Sequence, residues 1–185
     1  MFDLSVMREL LVDEIVSSAG AEHGRCFALL KEDAPDSKLK PVKIFDVSPN
    51  SVLIKLDKSE QPKTLLQEGR GQRQRCDYVL LTIYQDRPLM LFVEMKSRTA
   101  KKPEIQRQFK GAECIMDYCN SVLKRFHDQE DFLGQFQKRF IVFYKSGLTK
   151  QRTRPVLHPH KNDTPERAYK YPNPYNPPLK SLISL

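Results

Sequence analysis

The chain has no apolar run that approaches the roughly 20 residues needed to cross a membrane as a helix. It holds only four cysteines, at positions 26, 76, 114 and 119. None stands in a C-x-x-C pair or at zinc-site spacing, so they are expected to be reduced thiols. Seven glycines are scattered among 185 residues, and no glycine-rich phosphate loop is formed. No Ser-His-Asp or Cys-His arrangement supports nucleophilic catalysis. His158 and His160 stand two apart with no other ligand nearby in sequence, which is too little for a metal site. There is no internal repeat. The opening residues, MFDLSVMREL, are acidic and amphipathic and lack a signal-peptide pattern, and the expected location is cytoplasmic. Acidic residues are the scarcer charge: 23 Asp and Glu against 31 Lys and Arg, a net charge of +8. That balance points to a polyanionic partner and says nothing about fold.

What is present is a soluble composition, 39% hydrophobic and 29% charged, in a chain long enough for one domain with some decoration. The stretch that organises it is Cys76 to Arg98. Two apolar runs, Tyr78–Tyr84 and Leu89–Val93, flank the break Gln85-Asp86-Arg87-Pro88. Both read as strands of a hairpin. Neither alternates cleanly between apolar and polar, so both faces are expected to be covered, as in the central strands of an α/β sheet. Three charged residues interrupt the pair: Asp77, Glu94 and Lys96. With Gln85-Asp86 at the tip, Asp77 faces Glu94; with Asp86-Arg87 at the tip, Asp77 faces Lys96 and Glu94 is diagonal. Either register puts all three on one face, since residues two apart in a strand share a face. A register odd by one would send Asp77 to the other face. Two carboxylates about 5 Å apart at the end of a buried hairpin repel. Either Lys96 neutralises them as a structural ion pair, or a divalent cation does. Hard oxygen ligands suit Mg²⁺, which uses one or two carboxylates plus phosphate and water.

Asp77 followed by Glu94-Met95-Lys96, in a strand–turn–strand–helix context, resembles the core of the PD-(D/E)xK nuclease superfamily. The resemblance covers roughly residues 77–126. It departs at the first proline of the pattern, where Cys76 stands, and neither Gln106 nor Gln108 has a tyrosine four residues on. The resemblance implies a restriction-endonuclease-like α/β fold and hydrolysis of phosphodiester bonds, with DNA favoured as the substrate, in a defence or mobile-element system. Asp77 and Glu94 would bind Mg²⁺ or Mn²⁺, with the Met95 carbonyl as a further oxygen, and Lys96 would orient the attacking water and stabilise charge on the phosphate. In this family an acid on the first helix often reaches the metal. Glu14 is the candidate here, with Glu22 and Glu9 behind it. The alternative is a catalytically silent subunit of the same fold that binds nucleic acid or a partner. Double-strand cutting by so small a domain would imply a homodimer or a larger complex.

The rest of the chain supplies the frame. Residues 3–19 carry an apolar stripe, Leu4, Met7, Leu11 and Ile15, that predicts a helix ended by Gly20. Cys26–Leu30 is a short apolar piece, extended or opening a helix. Val42–Val47 and Val52–Leu56 read as strands joined by the turn Ser48-Pro49-Asn50-Ser51. Arg70, Arg73 and Arg75, with Gly69 and Gly71, make a basic loop suited to phosphate, and Glu68 is a further acid near it. Arg98, Lys101 and Lys102 continue the positive charge after Lys96. Pro103 suits the first turn of a helix. Ile105, Phe109, Ala112, Met116, Cys119, Leu123 and Phe126 then recur at helical spacing, predicting a long amphipathic helix over 103–126. Its first turns carry Arg107 and Lys110 near the end of the Glu94–Lys96 strand; Gln108 and Lys110 are candidate nucleic-acid contacts, and Tyr118 is expected in the core or at its boundary. Arg139–Lys145 is a further strand, which a crossover would lay parallel to its neighbour. The expected architecture is a mixed sheet of about four strands flanked by helices, spanning residues 1–145. From Ser146 onward the chain is basic and proline-rich: seven of the 13 prolines lie between 155 and 178. This segment is either an arm for nucleic acid, with Tyr169, Tyr171 and Tyr175 to stack on bases, or a strap pinned to the domain by those tyrosines, Leu182 and Ile183.

Overall fold

The computed structural model describes residues 2–32, 39–58, 66–67, 69–97, 101–146 and 161–183. The N-terminal helix, α1, covers only Ser5–Leu10. Leu4 and Met7 are buried, whereas Leu11 and Ile15 pack against the same core without continuing the helix. A 3-10 turn at Asp13–Ile15 leads into the strand β1 (Val16–Ser18), which pairs antiparallel with residues 52–54. The helix expected over 3–19 is thus cut short. The β-branched residues Val12, Ile15 and Val16 lose little by leaving it, and strand pairing takes the second half of the stripe.

Next come β2 (Gly20–Glu22), β3 (Arg25–Leu30), β4 (Val42–Phe45) and β5 (Val52–Lys55). The two strands expected around Ser48-Pro49-Asn50-Ser51 form, but they do not pair with each other. β4 joins β2 and β3 in a three-stranded antiparallel sheet, and β5 joins the main one. The connection is fixed by side chains. Ser51 Oγ lies 2.6 Å from Ser48 O and 2.7 Å from Thr82 Oγ1, and Thr82 Oγ1 accepts the Ser48 N–H at 3.0 Å. The chain is therefore carried from one layer to the next instead of folding back as a hairpin.

β6 (Tyr78–Tyr84) and β7 (Arg87–Lys96) form the central hairpin. Gln85 and Asp86 both have positive φ, 49° and 60°, which is what a two-residue hairpin turn requires. α2 (Lys102–Phe126) crosses over to β8 (Gln137–Tyr144), which lies parallel to β7, and β9 (Tyr169–Pro172) lies parallel to β8. The main sheet is mixed and has six strands in the order β1-β5-β6-β7-β8-β9. That is wider than the four strands expected, because β1 and β9 extend its two edges.

Alternation sorts the sheet's side chains into two cores. Val79, Leu81, Met90, Phe92, Phe140 and Val142 face α1 and α2. Phe92 stacks on Phe140 with centroids 4.9 Å apart, and Phe109 of α2 meets Phe140 edge-on at 5.2 Å. Leu80, Leu91, Val93, Ile141 and Phe143 face Ala28, Leu30 and Ile44 of the three-stranded sheet, together with Leu179 and Leu182. Both faces of the hairpin are covered, as its unbroken apolar runs require. The helices lie on one face only, however, and the second sheet takes the place of the helices expected on the other.

The described part of the C-terminal segment is a strap. Asn162, 2% exposed, donates its Nδ2 to the carbonyls of Phe140 and Leu182 at 3.2 and 3.0 Å. Phe45 N–H donates to Pro177 O at 3.0 Å. Leu182 and Ile183 are buried, as is Tyr169, while Tyr175 is 79% exposed. Lys150, Arg152, Arg154, His158 and His160 lie outside the described residues. No helix among the described residues is long and apolar enough to cross a membrane. Tyr118 is 71% exposed, not in the core or at its edge as its neighbours' spacing suggests.

Candidate active site at the end of the central hairpin

The β6–β7 ladder runs from Tyr84↔Arg87 to Tyr78↔Val93. The next pair in line is Asp77 and Glu94, so of the two registers open in the sequence the one with Gln85-Asp86 at its tip is formed. On β6, Val79 and Leu81 face α2; on β7, Met90 and Phe92 do. By the same alternation Asp77, Glu94 and Lys96 share that face. β7 is anchored at this end by β8: Lys96 pairs with Tyr144, and Lys145 N–H donates to Lys96 O at 3.1 Å.

Asp77 Oδ2 accepts the N–H of Met95 at 2.6 Å. Glu94 is 1% exposed. Its Oε1 lies 2.6 Å from Lys96 Nζ, while its Oε2 is buried with no hydrogen-bond partner. Lys96 Nζ also lies 3.6 Å from Glu104 Oε1, on the first turn of α2. One turn on, Gln108 reaches the Glu94 carboxylate closely enough to favour its ionised form, and Gln108 Oε1 is itself buried and unpartnered.

The electrostatics follow from burial and crowding. Burial pushes the Asp77 carboxyl up to about 6, against the Met95 hydrogen bond; Asp57 and Glu32 add to the rise and Lys96 opposes it. Burial, then the charge of Asp77, pushes Glu94 up to about 8, against Lys96 and Gln108. Burial works to lower the Lys96 pKa, but Glu94, Asp77 and Glu104 outweigh it and the net shift is upward. The ammonium is therefore held charged while the two acids compete for it. One Lys cannot keep both carboxylates ionised at neutral pH.

Among the described residues, no group of three or more His, Cys, Asp and Glu side chains is placed to hold a metal, so an all-protein cage is excluded there. Two facing carboxylates with one unused buried oxygen do fit the sparser mode of Mg²⁺, in which water and substrate phosphate complete the shell. Met95 is seen here through its N–H, which Asp77 holds.

The other sequence candidates are distributed unevenly. Glu14 is exposed on the 3-10 turn before β1, which pairs with β5 and not with β6. Glu9 is exposed and Glu22 pairs with Lys43 in the small sheet. Glu68 and Arg98 lie outside the described residues. Besides Glu94, Asp57 and Glu32 also lie within electrostatic reach of Asp77, and neither of these two was singled out from the sequence. Asp57 follows Leu56, whose N–H donates to Asp77 O at 2.8 Å. Glu32 follows Lys31, whose N–H and carbonyl both engage Tyr78 Oη, and Glu32 Oε2 accepts Ser97 Oγ at 2.9 Å. Only strand pairing across some twenty to forty-five residues of sequence brings them together.

Among the cations, Arg75 turns inward: its Nε donates to Leu56 O at 2.6 Å, and burial lowers its pKa. It supports the backbone that carries Asp77. Arg70 and Arg73 lie on the loop that reaches α2 beside Arg107. Lys110 pairs with Glu166 at 2.9 Å, and Lys101 and Lys102 are exposed at the start of α2. Cys76, fully buried, has its thiol pushed well up by burial and by Glu94 and Asp77, which makes it an inert filler beneath the site. No protein-family model, curated protein or solved structure matches the chain.

Proposed function

We propose that the protein is a metal-dependent nuclease that hydrolyses phosphodiester bonds in nucleic acid, DNA in preference to RNA, with Asp77, Glu94 and Lys96 as its active centre. The observation that carries this reading is the position of Asp77 and Glu94, next in line beyond the Tyr78↔Val93 pair and on the α2 face, with Glu94 Oε2 buried and without a hydrogen-bond partner. A buried carboxylate oxygen without a partner is costly, and a cation removes that cost. The order hairpin, helix, parallel strand agrees with the core that the PD-(D/E)xK resemblance implies, with β1, β9 and the small sheet added around it.

When bound between Asp77 and Glu94, Mg²⁺ or Mn²⁺ would polarise the scissile phosphate and lower the pKa of a coordinated water. The chain's own groups do the rest. Met95 N–H fixes the Asp77 carboxylate, leaving its second oxygen for the site. Lys96, kept charged by Glu94 and Glu104, stands ready to meet negative charge as it develops on the phosphate. Gln108 Oε1 is an acceptor available to orient a water. Phe92, Phe109 and Phe140 hold α2 down on the sheet, so Gln108 and Glu104 stay beside β7.

The direct test is incubation of supercoiled plasmid and of single-stranded DNA with the purified protein in Mg²⁺, in Mn²⁺ and in EDTA. Cleavage in either metal and none in EDTA is the expected result. Absence of cleavage of both substrates in both metals would count against the enzyme.

A further inference from the structure

The loop ahead of Asp77 is fastened to α2 by two glycines. A Cβ at Gly111 would stand 1.7 Å from Gln74 O, and one at Gly71 would stand 2.5 Å from Arg107 Cδ. Gly71 also has φ +86°, a conformation that suits glycine. Arg107 Nε donates to Gln74 Oε1 at 3.3 Å, Arg70 N–H donates to Gln72 Oε1 at 2.8 Å, and Arg73 Nε donates to Leu66 O. Between loop and helix lies a cleft of about 280 Å³ lined by Gly69, Arg70, Gly71, Arg73, Gln74 and Arg107. No carboxylate is among these lining residues.

We propose that this cleft binds a backbone phosphate of the nucleic-acid strand whose neighbouring phosphate lies at the Asp77–Glu94–Lys96 centre. The inference rests on the nuclease reading and adds the strand's path. Arg70 and Arg107 bring two guanidinium groups to this one cleft, where like charges repel, and a phosphate resolves that repulsion through paired N–H···O contacts. The position fits. Arg107 is three residues from Glu104, which touches Lys96, and one from Gln108, which reaches Glu94. Gln74 is three residues ahead of Asp77. Arg75, from the same loop, does not line the cleft: its guanidinium turns to the Leu56 and Asp57 carbonyls. Arg107 is the added member: it comes from a different element, and the Gln74 contact holds it in place before any ligand arrives.

The test is binding of a short fluorescein-labelled single-stranded DNA, followed by anisotropy in EDTA across a salt series, so that cleavage plays no part. Each phosphate contact on a single strand contributes a slope of about 0.7 in log K against log salt. Arg70→Gln and Arg107→Gln should each weaken binding and flatten the slope by about that amount, and the double variant by roughly twice as much. Lys124→Gln changes net charge equally but sits at the far end of α2, paired with Glu130, and should leave the slope unchanged. Gly71→Ala alters no charge, yet it displaces Arg107 and should weaken binding several-fold. Circular dichroism confirms that each variant is folded. If the wild type binds and the arginine variants keep its slope and affinity, the cleft is not the phosphate site, while the nuclease reading stands. If the wild type binds no DNA at any salt concentration, the cleft and the nuclease reading fall together.

Discussion

Asp77 Oδ2 takes the N–H of Met95 at 2.6 Å, one step beyond the last ladder pair, Tyr78↔Val93. That bond closes the open end of the hairpin with a side chain and holds Glu94 facing Asp77. Asp77→Asn keeps an oxygen acceptor for Met95 but removes the charge. The variant should fold with unchanged or slightly raised thermal stability and lose cation-dependent cleavage. A large drop in melting temperature would mean that the carboxylate's main role is structural.

Glu94 ties stability to pH. Its folded-state pKa is raised by burial and by Asp77, to about 8, above the ordinary carboxylate value of about 4.3. Between those values the native state binds more protons than the unfolded state, so stability falls as pH rises through that window. Without divalent cation, Glu94→Gln should raise the melting temperature at pH 8, have little effect near pH 4.5, and flatten the decline between them. Thermal melts across pH in EDTA measure this. A variant less stable than wild type at pH 8 would reverse the assigned sign.

Cation binding should offset the same penalty. A ligand that binds only the folded state stabilises it by about 2.7 kcal/mol at a hundred times its dissociation constant. Mn²⁺ should therefore raise the melting temperature of the wild type, and more at pH 8 than at pH 6, because protons compete for the two carboxylates. Neither Asp77→Asn nor Glu94→Gln should respond in full. An equal rise in all three proteins would place the cation elsewhere.

Gly111 sits in the middle of α2, where alanine would ordinarily gain about 1 kcal/mol of helix propensity. Here a Cβ would run into Gln74 O at 1.7 Å, a backbone atom that cannot swing aside. The overpacking cost, about 1–3 kcal/mol, should win. Gly111→Ala should lower stability and, by pushing away the loop that leads to Asp77, lower cleavage as well. Chemical denaturation and a cleavage assay on the same preparation would show both effects. A more stable, fully active variant would mean that the loop and helix separate freely.

The sequence was most legible where local pattern and tertiary environment agree. Tyr78–Tyr84 and α2 were readable to within a residue: the one is apolar throughout because it is buried on both faces, the other is periodic because it is buried on one. β7 proved longer than its apolar core, running from Arg87 to Lys96, because pairing with β6 and β8 carries charged ends into the sheet. The hairpin turn left two registers, and only the positive φ of Gln85 and Asp86 decides between them. Partners across long separations were not legible. β4 and β5 are legible as two strands joined by a turn, but not their separation into different sheets, where Thr82, far along the chain, holds Ser48 and Ser51. β9 was hidden by the prolines around Tyr169–Pro172, and its ladder to β8 is a distant, parallel one. The acids near Asp77 were missed for the same reason, since Asp57 and Glu32 arrive through β5 and β3. Glu14 looked well placed only while residues 3–19 formed a single helix.

The most direct measurement is the rate of DNA cleavage in Mn²⁺ by the wild type and by Lys96→Ala, prepared identically and assayed with excess enzyme. Lys96 takes no part in the hydrogen bond that holds Asp77, so its replacement leaves that strand register intact. Metal-dependent cleavage by the wild type is expected, with a loss of about 10²–10³ in rate for the variant, the range that follows removal of one preorganised stabiliser of transition-state charge. Equal rates would contradict the assigned site. DNA binding by the wild type with no cleavage would contradict the enzyme and leave a nucleic-acid-binding subunit of the same fold.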